Sequence, residues 1–123
     1  MSTLQVTTIQ SNSTTAPPTI QNSAGTEYGR FCRAWVNFNG TTASPSTIRA
    51  SFNVSSVTKN GTGDYTVNFT NAMTDANYSA VCWDSAWGLG WYDTPQTTSL
   101  QIHRVNTSYS GYDSTFVTFA IFR

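Results

Sequence analysis

Charge is what this chain has least of. Its 123 residues include six basic and six acidic side chains, 10 % in all, and the net charge is zero, against roughly a quarter charged in an ordinary globular protein. Attachment to nucleic acid through phosphates needs a basic surplus. Here Lys59, Arg30, Arg33, Arg49, Arg104 and Arg123 are scattered, so neither nucleic acid nor a charged membrane surface is expected as a partner. There is one histidine, His103, and one glutamate, Glu27, and no spacing of zinc ligands. Asp84, Asp93 and Asp113 could be drawn together as an oxygen site for calcium, but turns use aspartate routinely. No serine sits in a nucleophile-elbow sequence, and a glycosidase pair would have to come from aspartates such as Asp84 and Asp93. The expectation is a protein that is not an enzyme and holds no metal or cofactor.

Long apolar runs are missing too. Nothing approaches the roughly 18 residues of a membrane-spanning helix, and the opening MSTLQVTTIQ has neither the basic nor the apolar part of a secretory signal. Synthesis in a cytosol is therefore expected, with Cys32 and Cys82 as buried thiols rather than a disulfide. No stretch carries a sustained apolar period of 3.6, which argues against helices.

What the chain does have is alternation with period two, carried by β-branched and aromatic residues. In CRAWVNFN (32–39) Cys32, Ala34, Val36 and Phe38 share a face. In IRASFNVSS (48–56) Ile48, Ala50, Phe52 and Val54 do the same, and in DYTVNFT (64–70) Tyr65, Val67 and Phe69. Asn60-Gly61 and Gly63 between the last two mark a hairpin turn. NYSAVCW (77–83), SLQIHRV (99–105) and TFVTFAIFR (115–123) read as further strands, the last apolar on both faces. Six such strands predict an all-β fold, a small antiparallel sandwich or barrel forming a head over residues 29–123. Residues 1–28 are polar, with Pro17-Pro18, and read as an extended arm whose Leu4, Val6 and Ile9 would engage a partner.

The stretches GRFCRAWVNFNGT (29–41) and IRASFNVSSVTKNGTGDYTVNFTNAMTDANYSAV (48–81), with the opening MSTLQVTTIQ, resemble a module of tail-fibre and other virion proteins of tailed bacteriophages. The resemblance covers about half the chain and stops before residue 85. It implies a virion appendage made in the host cytoplasm: a trimer with an amino-terminal attachment arm bound to other virion proteins and a distal β-rich head. It carries over no catalytic residue.

The segment AVCWDSAWGLGWYD (80–93) lies beyond that resemblance from Cys82 onward and holds three of the four tryptophans. Flat aromatic faces stack on sugar rings, and carboxylates accept from hydroxyls. Trp87, Trp91, Tyr92, Asp84 and Asp93 are the candidates for binding a host-surface glycan, with Gly-Leu-Gly (88–90) read as a loop. The competing reading packs the same rings into the core or against another subunit. The last strand points to self-association, since Val117, Phe119 and Ile121 lie on one face and Phe116 and Phe122 on the other. A small domain has trouble covering both, and these five are the candidate interface. Two function classes compete with a receptor-binding fibre: a decoration or spacer protein of the virion, and a soluble carbohydrate-binding module.

Overall fold

A computed structural model of the chain describes residues 3–12, 18–85 and 89–123. The chain divides into two compact units, Met1–Phe31 and Cys32–Arg123. The first contains a short antiparallel pair, β1 (Ile20–Gln21) and β2 (Glu27–Gly29). Asn22 builds its turn: Oδ1 accepts from the backbone N–H of Ala24 and Thr26, and the Asn22 carbonyl accepts from Gly25. Glu27 and Arg30 form a surface ion pair one turn along. Leu4, Val6 and Ile9 are exposed.

The regular secondary structure of the second unit is all strand among its described residues. The strands are β3 (Cys32–Asn39), β4 (Thr47–Phe52), β5 (Val54–Gly61), β6 (Asp64–Phe69), β7 (Ser79–Asp84), β8 (Leu89–Tyr92), β9 (Ser99–Val105) and β10 (Val117–Phe122). They form two four-stranded sheets, ordered β4-β3-β10-β7 and β5-β6-β9-β8, with every pairing antiparallel. The sheets pack face to face as a small β-sandwich. Strict alternation fills the space between them: Ala34, Val36 and Phe38 of β3 and Val117, Phe119 and Ile121 of β10 meet Tyr65, Val67, Leu100 and Ile102 from the facing sheet. Each Val, Leu, Ile or Phe side chain so enclosed contributes roughly 1.5–3 kcal/mol. Phe38 and Tyr65 meet edge to face with ring centroids 5.1 Å apart.

Three sequence expectations change. The stretch 48–56 is two strands in different sheets, because Asn53 adopts φ 54° and turns the chain through a corner. Ile48 and Val54 then face the core, whereas Phe52 is exposed. The Asn53 amide donates to the carbonyls of Arg33 and Asn71, and its Oδ1 accepts from the Asn71 N–H, which holds the corner. Leu89–Tyr92, expected to continue a loop, forms β8, the edge of the second sheet, paired with β9. Finally, Val117, Phe119 and Ile121 are buried in the domain's own core and offer nothing to a second chain. Of the five candidate interface residues only Phe116 and Phe122 stay exposed.

Candidate functional site

Two polar clusters pin the sandwich before any ligand is considered. Arg104 on β9 and Asp84 on β7 come from opposite sheets, and both are almost fully buried, at 2 % and 4 % exposure. Arg104 Nε donates to Asp84 Oδ2 at 2.9 Å, and Nη2 donates to the same oxygen. Asp84 is therefore committed to an internal ion pair and is removed from the ligand-binding candidates. Gly90 on β8 makes room for it, because a Cβ there would stand 2.0 Å from Arg104 Nη1. Beside the pair, burial pushes the Cys82 thiol up to about 11, so it stays protonated; Cys32 and Cys82 are both free, half-buried thiols.

The second cluster gathers around Asp113. Its Oδ2 accepts from Lys59 Nζ at 2.5 Å, and its Oδ1 accepts from the Tyr65 hydroxyl at 2.5 Å and the Gly63 N–H at 2.8 Å. Burial acts to raise the Asp113 carboxyl, but the hydrogen bonds from Lys59, Tyr65 and Gly63 outweigh it and hold the group below the usual carboxylate range. Burial moves the Tyr65 hydroxyl far above its ordinary value, with the Asp113 charge adding to it, so it remains a donor. Asp84, Asp93 and Asp113 thus have three different partners. Among the described residues no group of three His, Cys, Asp or Glu side chains is placed to hold a metal ion.

Of the remaining candidates, Trp91 and Asp93 lie on the outer face of β5-β6-β9-β8. Register places Trp91 beside His103 and Tyr92 beside Ile102, so the two aromatics point to opposite sides of β8. Trp91 stacks on the His103 ring, with centroids 5.2 Å apart and planes 18° from parallel, and the residue remains 49 % exposed. One indole face is covered by imidazole and the other is left to solvent. His103 Nε2 is buried and lies 3.2 Å from Asp93 Oδ2, without the alignment of a hydrogen bond, while Nδ1 lies 3.9 Å from Asp64 Oδ1. Next to them runs a polar cleft of about 390 Å³ lined by Thr66, Asp93, Thr94, Gln96, Ser99 and Gln101. Gln101 Nε2 donates to Asp64 Oδ1 at 2.9 Å and Asn60 Nδ2 donates to the same oxygen at 3.0 Å, which ties the side chains beside the cleft to one another.

Trp91 and Asp93 both lie against His103, with Gln101 beside the same cleft, two neighbours the sequence did not identify. Tyr92 does not join them: it lies on the core side of the edge strand, still 43 % exposed. Trp87 lies outside the described residues. A signal for His103 existed, since it shares the outward parity of Gln101 on β9. Its pairing with Trp91 needed the strand β8 that the Gly-Leu-Gly stretch concealed. Among the described residues no helix is long and apolar enough to cross a membrane. No protein-family model, curated protein or solved structure matches the chain.

Proposed function

We propose that the Cys32–Arg123 sandwich is a non-catalytic glycan-binding head, carried on a phage particle as a short tail fibre or fibre-like appendage. The observation that carries the binding reading is the half-open Trp91 indole, backed by His103 at the rim of a cleft lined by amides, hydroxyls and one carboxylate. The apolar C–H face of a pyranose stacks on such an indole, while Asp93, Gln96 and Gln101 offer acceptors and donors to ring hydroxyls. Glycosidic hydrolysis uses two carboxyl groups across the scissile bond, and Asp93 is the one carboxylate among the cleft-lining residues. The virion assignment is supported by the sequence resemblance over residues 29–41 and 48–81. Exposed Leu4, Val6 and Ile9 suit an arm that docks on another virion protein.

Saturation-transfer NMR against a panel of free hexoses and N-acetylhexosamines at millimolar concentration tests the binding reading. At least one sugar is expected to receive saturation from the protein and to lose it in Trp91→Ala, with the circular dichroism spectrum unchanged. A signal that persists in Trp91→Ala would move the site elsewhere. Absence of this domain from a cryo-EM map of the purified particle would overturn the virion assignment.

A further inference from the structure

The opposite outer face of the sandwich has a different character. Across β4-β3-β10-β7 the register lines up Phe52, Trp35, Ala120 and Val81 in one row and Ala50, Asn37, Thr118 and Trp83 in the next. Neither row holds a charged side chain. Phe116 and Phe122 extend the column of Thr118 and Ala120 at its two ends. Trp35, Phe52, Trp83, Phe116 and Phe122 are between 39 % and 77 % exposed, Trp83 being the most exposed. Aromatic side chains span about 150–250 Å² each, so these five rings with Val81 present on the order of 600 Å². That is at the upper end of the roughly 300–600 Å² that the largest apolar patch on a typical monomer covers and is most of the roughly 800 Å² that each partner contributes to a standard interface.

The face also has relief. Between Trp35 on one side and Val81 with Trp83 on the other runs a groove of about 530 Å³, floored by the small side chains of Ala120 and Thr118. Its walls stand two strand spacings apart, about 10 Å, a width that admits one aromatic ring between two others. The protruding Trp83 beside the groove is a ring of that kind. We propose that this face binds the same face of a second copy of the chain about a two-fold axis, each Trp83 entering the groove of its partner.

Three observations favour a second copy as the occupant. Knob and hole lie on one patch, and a two-fold contact is the arrangement in which one patch serves both partners as both. A cyclic trimer would need two different patches on each protomer. The two rows are uncharged, and the one cation set against them, Arg49, is already held by Asn37 Oδ1, the Thr115 carbonyl and the Phe116 ring, so a copy meets little repulsion from itself, whereas a basic partner would find no counter-charge in either row. Two of the polar atoms that would be covered already have partners: Asn37 Oδ1 accepts from Arg49 Nη1, and Thr118 Oγ1 donates to the Trp83 carbonyl. This inference does not depend on glycan binding, since the Trp91 cleft lies on the other sheet and stays open in the pair.

Light scattering coupled to size exclusion, run on the full chain from about 1 to 100 µM, is the test. The expected mass is twice 13.5 kDa, falling to a single chain or weakening at least ten-fold in self-affinity in Trp83→Ser and in Val81→Lys. Both positions are more than half exposed, so the fold should persist, and circular dichroism checks it. Trp91→Ala should keep the pair while losing sugar binding, which separates failure of this inference from failure of the glycan reading. A wild-type mass of one chain at 100 µM, a mass of three chains, or a pair unaffected by both variants would overturn the proposal. So would saturation transfer to a free sugar that Trp83→Ser abolishes in a monomeric protein, since the groove would then hold glycan.

Discussion

Arg104 is the residue whose removal from water costs most, and Asp84 is what makes that tolerable. Breaking a buried pair by deleting one partner leaves an uncompensated charge and costs about 3–5 kcal/mol, whereas replacing both with apolar groups of similar volume is often neutral. Asp84→Ala should therefore lower the urea unfolding free energy by about that much, and Asp84→Leu combined with Arg104→Met should recover most of it. A double variant no more stable than the single one would show that the guanidinium is not the source of the cost. Asp113 gives a pH-dependent counterpart. Its folded carboxyl is held below the unfolded value by Lys59, Tyr65 and Gly63 against the opposing effect of burial. The stabilisation is thus complete above the unfolded value near 4 and is lost as pH falls through the lower folded value. Urea midpoints measured between about pH 7 and pH 2 should fall less steeply on the acid side in Asp113→Asn than in the parent. At pH 7 the variant should be less stable by about 1.5–3 kcal/mol.

At the scale of elements, the corner at Asn53 decides which sheet each half of residues 47–61 enters. A residue in the left-handed region costs an ordinary side chain about 1–2 kcal/mol, which glycine escapes. Asn53 also contributes three hydrogen bonds from its side chain to Arg33 and Asn71. Both Asn53→Gly and Asn53→Ala should destabilise through those lost bonds, with alanine the worse by about 1 kcal/mol in chemical denaturation. Equal losses would mean that the side-chain anchors alone hold the corner. The edge strand β8 is governed by a different constraint. Gly90 leaves space for the Arg104 guanidinium and so lets the ion pair close, while the β8–β9 register sets Trp91 alongside His103.

Taken whole, the domain presents two outer faces of opposite character around one apolar interior. The outer side of β5-β6-β9-β8 carries amides, hydroxyls and carboxylates with a single half-open indole. The outer side of β4-β3-β10-β7 carries most of the exposed rings. The chain crosses between the sheets four times, after β4, β6, β7 and β9, so residues close in sequence are distributed to different faces. Trp83 and Trp91, both in the aromatic segment 80–93, end on opposite sheets for that reason. The two proposals therefore make separable demands on one molecule, since Trp91→Ala and Trp83→Ser are expected to remove different properties.

Period-two alternation is local, so the sequence by itself determined the β class, the antiparallel hairpin around Gly61 and Gly63, and the inward parity of β3 and β6. The same parity places Arg104 with Leu100 and Ile102 on an inward face, a sign in the sequence that a buried acid must exist. Naming Asp84 as that acid required knowing that β7 lies opposite β9, and sequence spacing carries no record of facing sheets. Only the tertiary structure turned Phe52 outward, through the backbone of one asparagine. It also gave Val117, Phe119 and Ile121 to the domain's own core and made a strand of a glycine-flanked leucine. The aromatic segment looked like one site because its rings are neighbours along the chain; strand crossing, which depends on long-range pairing, makes it contribute to two.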